Sequence, residues 1–236
     1  MFRHSKITPL KKGINYKDLI LKDFDLVLFS SHDTVGSFIE CLEKKQVGDG
    51  SFSHVGMIIT NKTLRFRGLE DDKLYIFEST MSGNLTDGVK NIDNKTWLGS
   101  QIRDFDSVIK AYDANPTSAI AIRRIIDNPV DTMDINEVRE RMSYLYGKYN
   151  HILYTVDIPL LFFAMFPPLR KFRIKRMEDK FMFCSQLVSK IYIEFGILPK
   201  ECNAADVIPM DFVAQDQDNM VDRSKFDTIQ YVRYLN

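Results

Sequence analysis

Short apolar, β-rich segments crowd the first half of this 236-residue chain, while segments with helical periodicity dominate the second. A sheet buries a face and a helix buries a stripe. A chain that separates the two kinds of segment therefore resolves into an antiparallel sheet with helices packed on it, not into alternating strand–helix–strand units. Phe24–Ser30, His54–Thr60, Leu74–Ser79, Ser107–Tyr112 and Ile120–Ile125 read as strands, with shorter candidates at Val89–Ile92 and Ile229–Leu235. Thr34–Lys45 reads as a helix with Val35, Phe38, Ile39 and Leu42 on one face, followed by a Gly48–Ser51 loop. Asp134–Tyr146 is a second helix, with Asp131 or Asp134 as its cap. A third begins near Cys184 and stops near Gly196, with Pro199 beyond it. Residues 1–23 read as a polar lead-in, 80–88 as a turn-rich loop, and 206–212 as a loop or short helix. The expected class is α+β, an antiparallel β-sheet or small barrel packed against helices, in a single domain over residues 1–236.

Composition removes several function classes. Lys+Arg and Asp+Glu are both 32, so no global basic field favours nucleic acid, and none is expected as partner. The three cysteines, Cys41, Cys184 and Cys202, include no CxxC pair and suit a reducing compartment better than a disulfide framework or a zinc site. No glycine-rich phosphate loop is present. No cofactor and no metal are expected. The first 18 residues carry basic groups without an apolar core, so no signal peptide is read and a cytoplasmic or intracellular setting is expected.

One segment stands apart. Residues 152–169, ILYTVDIPLLFFAMFPPL, are apolar but interrupted by Asp157, Pro159, Pro167 and Pro168, too broken for a membrane span. A buried hairpin of helices is one reading, and a lipid- or substrate-facing surface is another. The basic cluster Arg170, Lys171, Arg173, Lys175 and Arg176 follows. The stretch from Ile152 to Arg176 is thus a candidate contact with a membrane surface, or a packed core element with a solvated basic face. Residues 151–180 read as an apolar and basic insertion ahead of the last long helix.

Chemistry concentrates on three residues. Cys184 falls where an apolar run, Phe181-Met182-Phe183, turns amphipathic, which places its thiol at a helix start. Free N–H groups and the positive dipole end there favour a thiolate, the form that acts as nucleophile. His54 opens a strand, Ser53-His54-Val55-Gly56-Met57-Ile58-Ile59, on which His54, Gly56 and Ile58 share one side; Gly56 leaves room there for a backbone or a substrate. Glu78 lies among apolar neighbours in Leu74–Ser79, and a carboxylate so placed needs a partner. If the two strands pair as a hairpin, His54 and Glu78 become cross-strand neighbours. Cys184 then attacks a carbonyl carbon, His54 takes the thiol proton or holds the thiolate and later protonates the leaving group, and Glu78 orients the imidazole. The backbone N–H of Cys184 is a candidate oxyanion donor. His4, His32 and His151 compete for the base role, and Cys41 and Cys202 for the nucleophile. Each member taken alone is more often a packed or solvated residue than a catalytic one.

In chain order, the FDLVLFS strand, SHVGMII, YIFES, and the late FCSQLVSKIY with Pro209-x-Asp211-Phe212 downstream resemble the permuted branch of the NlpC/P60 papain-like cysteine enzymes. That branch includes bacterial, poxviral and lecithin:retinol acyltransferase-like members. The resemblance spans about Phe24 to Phe212 and is most specific around His54 and Cys184; Glu78 matches the third position more loosely. It implies a circularly permuted papain-like fold in which histidine precedes cysteine. It also implies a cleft lined by the Tyr146–Asn150 stretch, so that Ser53, Gly56, Tyr146, Tyr149 and Ser185 are the expected substrate-binding residues. The long apolar stretch before Cys184 departs from a minimal member and shifts weight from peptides towards lipid acyl groups. The expected activity is hydrolysis of an amide, thioester or ester through a covalent acyl-enzyme, on a peptide or lipid acyl substrate. An acyltransferase and a non-catalytic membrane- or partner-binding protein are the alternatives, with a membrane-peripheral or virion-associated setting as the variant locations.

Overall fold

The computed structural model describes residues 13–30, 52–80, 88–115, 118–154, 182–213 and 221–235. The expected helix over 34–45, the loop over 48–51, most of the loop over 80–88 and residues 155–180 of the expected insertion lie outside the described residues.

Seven strands form one sheet: β1 (Ile14–Asn15), β2 (Leu26–Ser30), β3 (His54–Ile59), β4 (Tyr75–Thr80), β5 (Gly99–Asp104), β6 (Ala119–Arg123) and β7 (Gln230–Arg233), in the order β1-β7-β6-β2-β3-β4-β5. Four α-helices accompany it among the described residues: α1 (Phe105–Asp113), α2 (Pro129–Thr132), α3 (Ile135–Tyr149) and α4 (Cys184–Glu194). The protein is α+β. The sheet is mixed, not purely antiparallel, because β1 pairs in parallel with β7 at the edge while every other pairing is antiparallel. Two residues of the expected polar lead-in thus form a strand.

Two cores sandwich this sheet. Alternation along β3 sends Val55, Met57 and Ile59 to one face, where they meet α3 residues Val138, Met142 and Leu145 and α4 residues Leu187, Val188 and Ile191. The opposite face carries Val27, Phe29, Ile58 and Ile76 against Phe105, Val108, Ile109 and Tyr112 of α1. Each fully buried large apolar side chain contributes on the order of 1.5–3 kcal/mol, so the two layers together hold the sheet in its place.

The segment over 107–112 is helical, contrary to the expected strand. Its buried residues recur at helical spacing, and Asp104 caps the helix by accepting from the Ser107 N–H at 2.8 Å. Strand β5 precedes it, with Ser100, Gln101 and Arg103 buried. Its pairing along the whole of β4 gives these polar residues a strand conformation. Asp134 caps α3 through the N–H groups of Asn136 and Glu137, and the helix runs three residues beyond the expected end.

At the entry to β2 lies a buried acidic turn. Asp23 accepts from the Thr60 N–H and from the hydroxyls of Thr60 and Thr63, while Asp25 accepts from the N–H groups of Lys22 and Ile125. Between them Phe24 adopts a left-handed φ of 72°, and its carbonyl accepts from the Tyr192 hydroxyl of α4 at 2.5 Å. Fixing a non-glycine residue in that region is unfavourable, and the flanking carboxylates and the Tyr192 bond hold it there.

Candidate functional site

The site is assembled at the end of the sheet where β3 begins and β4 ends. In the β3–β4 register Gly56 is opposite Glu78, so His54 lies diagonally across from Glu78 on the same face. The imidazole spans that diagonal: His54 Nε2 lies 2.5 Å from Glu78 Oε2. Continuing along the same face, Arg103 of β5 donates from Nε to Glu78 Oε1 at 2.6 Å. Glu78 and Arg103 are fully buried and the His54 side chain is 11% exposed. Three strands thus contribute one polar residue each to a continuous charged row.

Cys184 is the first residue of α4, buried, and close enough to act on the His54 side chain. No side chain caps this helix, so its N-terminal N–H groups and dipole end act on the sulfur without a competing carboxylate. The thiol belongs to the core on the α3–α4 face, whereas Phe29, with its ring 5.6 Å from that of His54, belongs to the core on the α1 face. As the first residue of its strand, His54 lies at the sheet end and touches both.

Neighbouring elements fix the helix start. Ser79 donates from Oγ to the Met182 carbonyl at 2.6 Å, the Met182 N–H donates to the Leu153 carbonyl at 3.0 Å, and Ser185 donates from Oγ to the Val207 carbonyl at 2.6 Å. Glu78 and Ser79 are consecutive and point to opposite faces of β4. One therefore orients the imidazole while the other pins the chain two residues before the thiol.

Electrostatics follow from these partners. Burial penalises an ionised Glu78, but the Arg103 guanidinium and the His54 ring outweigh it and pull the carboxyl down to about 2. Burial likewise opposes a charged His54. Hydrogen bonds and charge from Cys184 and Glu78 reverse the balance and lift the ring to about 10. An ionised carboxylate can only accept, so the proton between Glu78 and His54 sits on Nε2. Nδ1 is then the ring nitrogen left to the Cys184 side chain.

The structure brings together Cys184, His54 and Glu78. The five expected substrate-binding residues are placed differently from one another. Ser53 is buried and donates its N–H to the Phe29 carbonyl at 3.0 Å. Beside Gly56 there is no open room: a Cβ there would lie 2.6 Å from Ile76 Cδ1, so the glycine admits the neighbouring strand. Tyr146 is in the core between Phe66 and Phe77, and its hydroxyl accepts from Asn150. Tyr149 is buried, with its carbonyl accepting from the Ser100 hydroxyl and Lys148 and Lys190 over its ring. The Ser185 hydroxyl is committed to Val207. Of the competing bases, His151 pairs with Asp93 at 3.3 Å and packs edge-on to Trp97, while His4 and His32 lie outside the described residues. Of the competing thiols, Cys202 is a half-buried loop residue and Cys41 lies outside the described residues.

Arg103 is the residue that reading the sequence misses. Its signal is indirect: a carboxylate among apolar strand residues demands a cation, and Ile102-Arg103-Asp104 alternates as a strand does. Among the described residues no cluster of His, Cys, Asp or Glu is arranged to hold a metal ion, and no helix is long and apolar enough to cross a membrane. No protein-family model and no curated protein matches this chain.

Proposed function

We propose that this protein is a cysteine hydrolase of the permuted papain-like kind, acting through a covalent acyl-enzyme. The observation that carries this reading is the His54 ring bonded to the Glu78 carboxylate at 2.5 Å, with the Cys184 thiol at a helix N-terminus acting on the same ring. The chain order, histidine strand first and cysteine helix last, supports the permuted arrangement.

In this reading Cys184 transfers its proton to His54 and the sulfur attacks the substrate carbonyl carbon, whose oxygen takes the negative charge near the first-turn N–H groups of α4. The oxyanion collapses, His54 gives its proton to the leaving amine, thiol or alcohol, and a thioester to Cys184 remains. Water, deprotonated by His54, attacks the thioester carbonyl, and the carboxylic acid leaves as the sulfur recovers the proton. Glu78 keeps the ring in its Nε2–H tautomer throughout. The substrate is a peptide amide or a lipid acyl group; the apolar composition of residues 152–169 favours the acyl group.

The test is labelling with two electrophilic probes, one bearing an acyl chain and one a short peptide, followed by mapping of the adduct. The expected adduct is on Cys184, preferentially from the acyl probe, and absent in Cys184→Ala and His54→Ala proteins whose circular dichroism matches wild type. Turnover in those variants should fall by at least about 10⁴-fold. Equal labelling of Cys184 and Cys202, or turnover that survives Cys184→Ala, overturns the reading. Liposome binding without any adduct would instead mark a non-catalytic binding protein.

A further inference from the structure

Resting on the proposed cysteine chemistry, we infer that Arg103 is a positioning residue whose positive charge lets a thiolate exist at this buried site. With the Cys184 proton on His54, four charges lie along one path among the described residues: a thiolate at Cys184, an imidazolium at His54, a carboxylate at Glu78 and the guanidinium of Arg103. Their sum is zero. Remove the guanidinium and the same protonation state carries a net negative charge in a site from which water is largely excluded, where uncompensated charge is costly. The least costly correction is a proton on the sulfur, which abolishes the nucleophile.

Geometry makes Arg103 the residue that can do this. Its Nε lies 2.6 Å from Glu78 Oε1, while His54 occupies the other carboxylate oxygen at 2.5 Å, so the carboxylate is shared between two cations. Arg103 is fully buried on β5, opposite Ile76, and the β4–β5 ladder runs through both its neighbours. Among the described residues, Arg103 and His54 act on Glu78, and Cys184 and Glu78 act on His54. From the other packed elements the described residues that face the cluster include neutral groups: Gln101 across from Glu78, Phe29 of β2, and the Ser79 hydroxyl on the reverse face. A residue needed only for sheet stability could be apolar at this position; a fully buried guanidinium aimed at the carboxylate that orients the base is a charge device.

The experiment measures the rate of Cys184 alkylation by iodoacetamide from pH 5 to 9, with Cys41→Ser and Cys202→Ser as background substitutions. Wild type sets the reference rate at each pH. In Arg103→Met the rate at pH 6 should drop by about tenfold or more, because the thiolate is the reacting form. Arg103→Lys, which keeps a charge but offers one compact donor group, should fall between the two. Adding Glu78→Gln to Arg103→Met restores neutrality and should recover most of the pH 6 rate; an amide at the orienting position serves in papain-like proteases. A loss that is purely structural would lower the melting temperature, leave the pH profile in place, and deepen in the double variant. If Arg103→Met and Arg103→Lys both trace the wild-type profile, the inference fails while the enzyme reading stands. If Cys184 of wild type is not alkylated at any pH from 5 to 9, the enzyme reading fails and the inference with it. Should Arg103→Met not fold, Arg103→Lys decides by the same criterion.

Discussion

Strands β2 and β3 carry a buried carboxylate cluster at each end, and the two are built on opposite principles. At the end where β3 begins, Glu78 is held between two cationic side chains, Arg103 and His54. At the other end, Asp23 and Asp25 are held by backbone N–H groups and threonine hydroxyls. Burial opposes ionisation in both places. With cations in contact, the balance falls towards charge and Glu78 drops to about 2. With neutral donors, burial prevails: Asp23 is raised, and Asp25 rises to about 6 despite weaker help from Arg124 and Lys22. Helix α4 links the ends, offering its first residue, Cys184, to the first cluster and the Tyr192 hydroxyl to the second. What separates a charge-holding site from a backbone clamp is thus the charge of the partner groups, since depth of burial is common to both.

The largest effect that would break this contrast comes from Glu78→Gln. It should lower turnover by about 10²–10⁴-fold, because the imidazole loses the group that fixes its tautomer. It should also cost about 3–5 kcal/mol of stability in a urea titration, because Arg103 keeps a buried charge without its carboxylate. A variant of wild-type stability would show that the row is not an electrostatic unit.

Acid titration sharpens the contrast, since the two ends respond with opposite sign. Glu78 is lowered on folding, so its contribution is present above its ordinary 4.5 and is lost as pH falls towards about 2. Asp25 is raised, so the native state carries a penalty above about 6 that is relieved as pH falls from 6 towards 3.8. Its size is on the order of 2–3 kcal/mol. Wild type should therefore gain stability between pH 7 and pH 5, with the raised Asp23 and His54 acting in the same direction, and Asp25→Asn should reduce that slope while leaving Cys184 alkylation untouched. An unchanged slope in Asp25→Asn would place the titrating group elsewhere.

The smallest expected effect concerns placement. Ser79→Ala removes the bond to the Met182 carbonyl at a cost of about 1 kcal/mol. It should reduce kcat several-fold with KM little changed, as the thiol loses its alignment with His54. Equal losses in kcat and in melting temperature for a distant core serine such as Ser189→Ala would remove any special role for Ser79.

Much of the triad was legible because its signals are local. A cysteine at the switch from apolar run to helical period, a histidine opening an alternating strand, and a carboxylate among apolar neighbours can each be read in a window of ten residues. The hairpin geometry then requires only that adjacent strands pair. Arg103 was not legible because its reason for being buried lies 25 residues away, on the neighbouring strand. Strand β5 was passed over for the same cause: GSQIRD reads as polar until β4 supplies its partner, and the apolar residues that follow then suggested a strand where Asp104 caps a helix. The parallel β1–β7 pair escaped because it joins residues more than 200 positions apart, through two residues of each strand. Gly56 shows the converse error, since the space a missing side chain leaves is as readily taken by a neighbouring isoleucine as by a ligand.

The adjacency of Glu78 and Ser79 makes β4 the least editable part of this protein. A strand side chain changes face with every residue, so inserting or deleting one position between Tyr75 and Ser79 would exchange the two roles at once. The carboxylate would turn towards the segment ahead of Cys184 and the hydroxyl towards His54, reversing which side of the sheet holds the negative charge. Substitutions elsewhere in the sheet act on one core or the other. A frame slip in β4 alone would invert the site while leaving the strand pairing itself free to form.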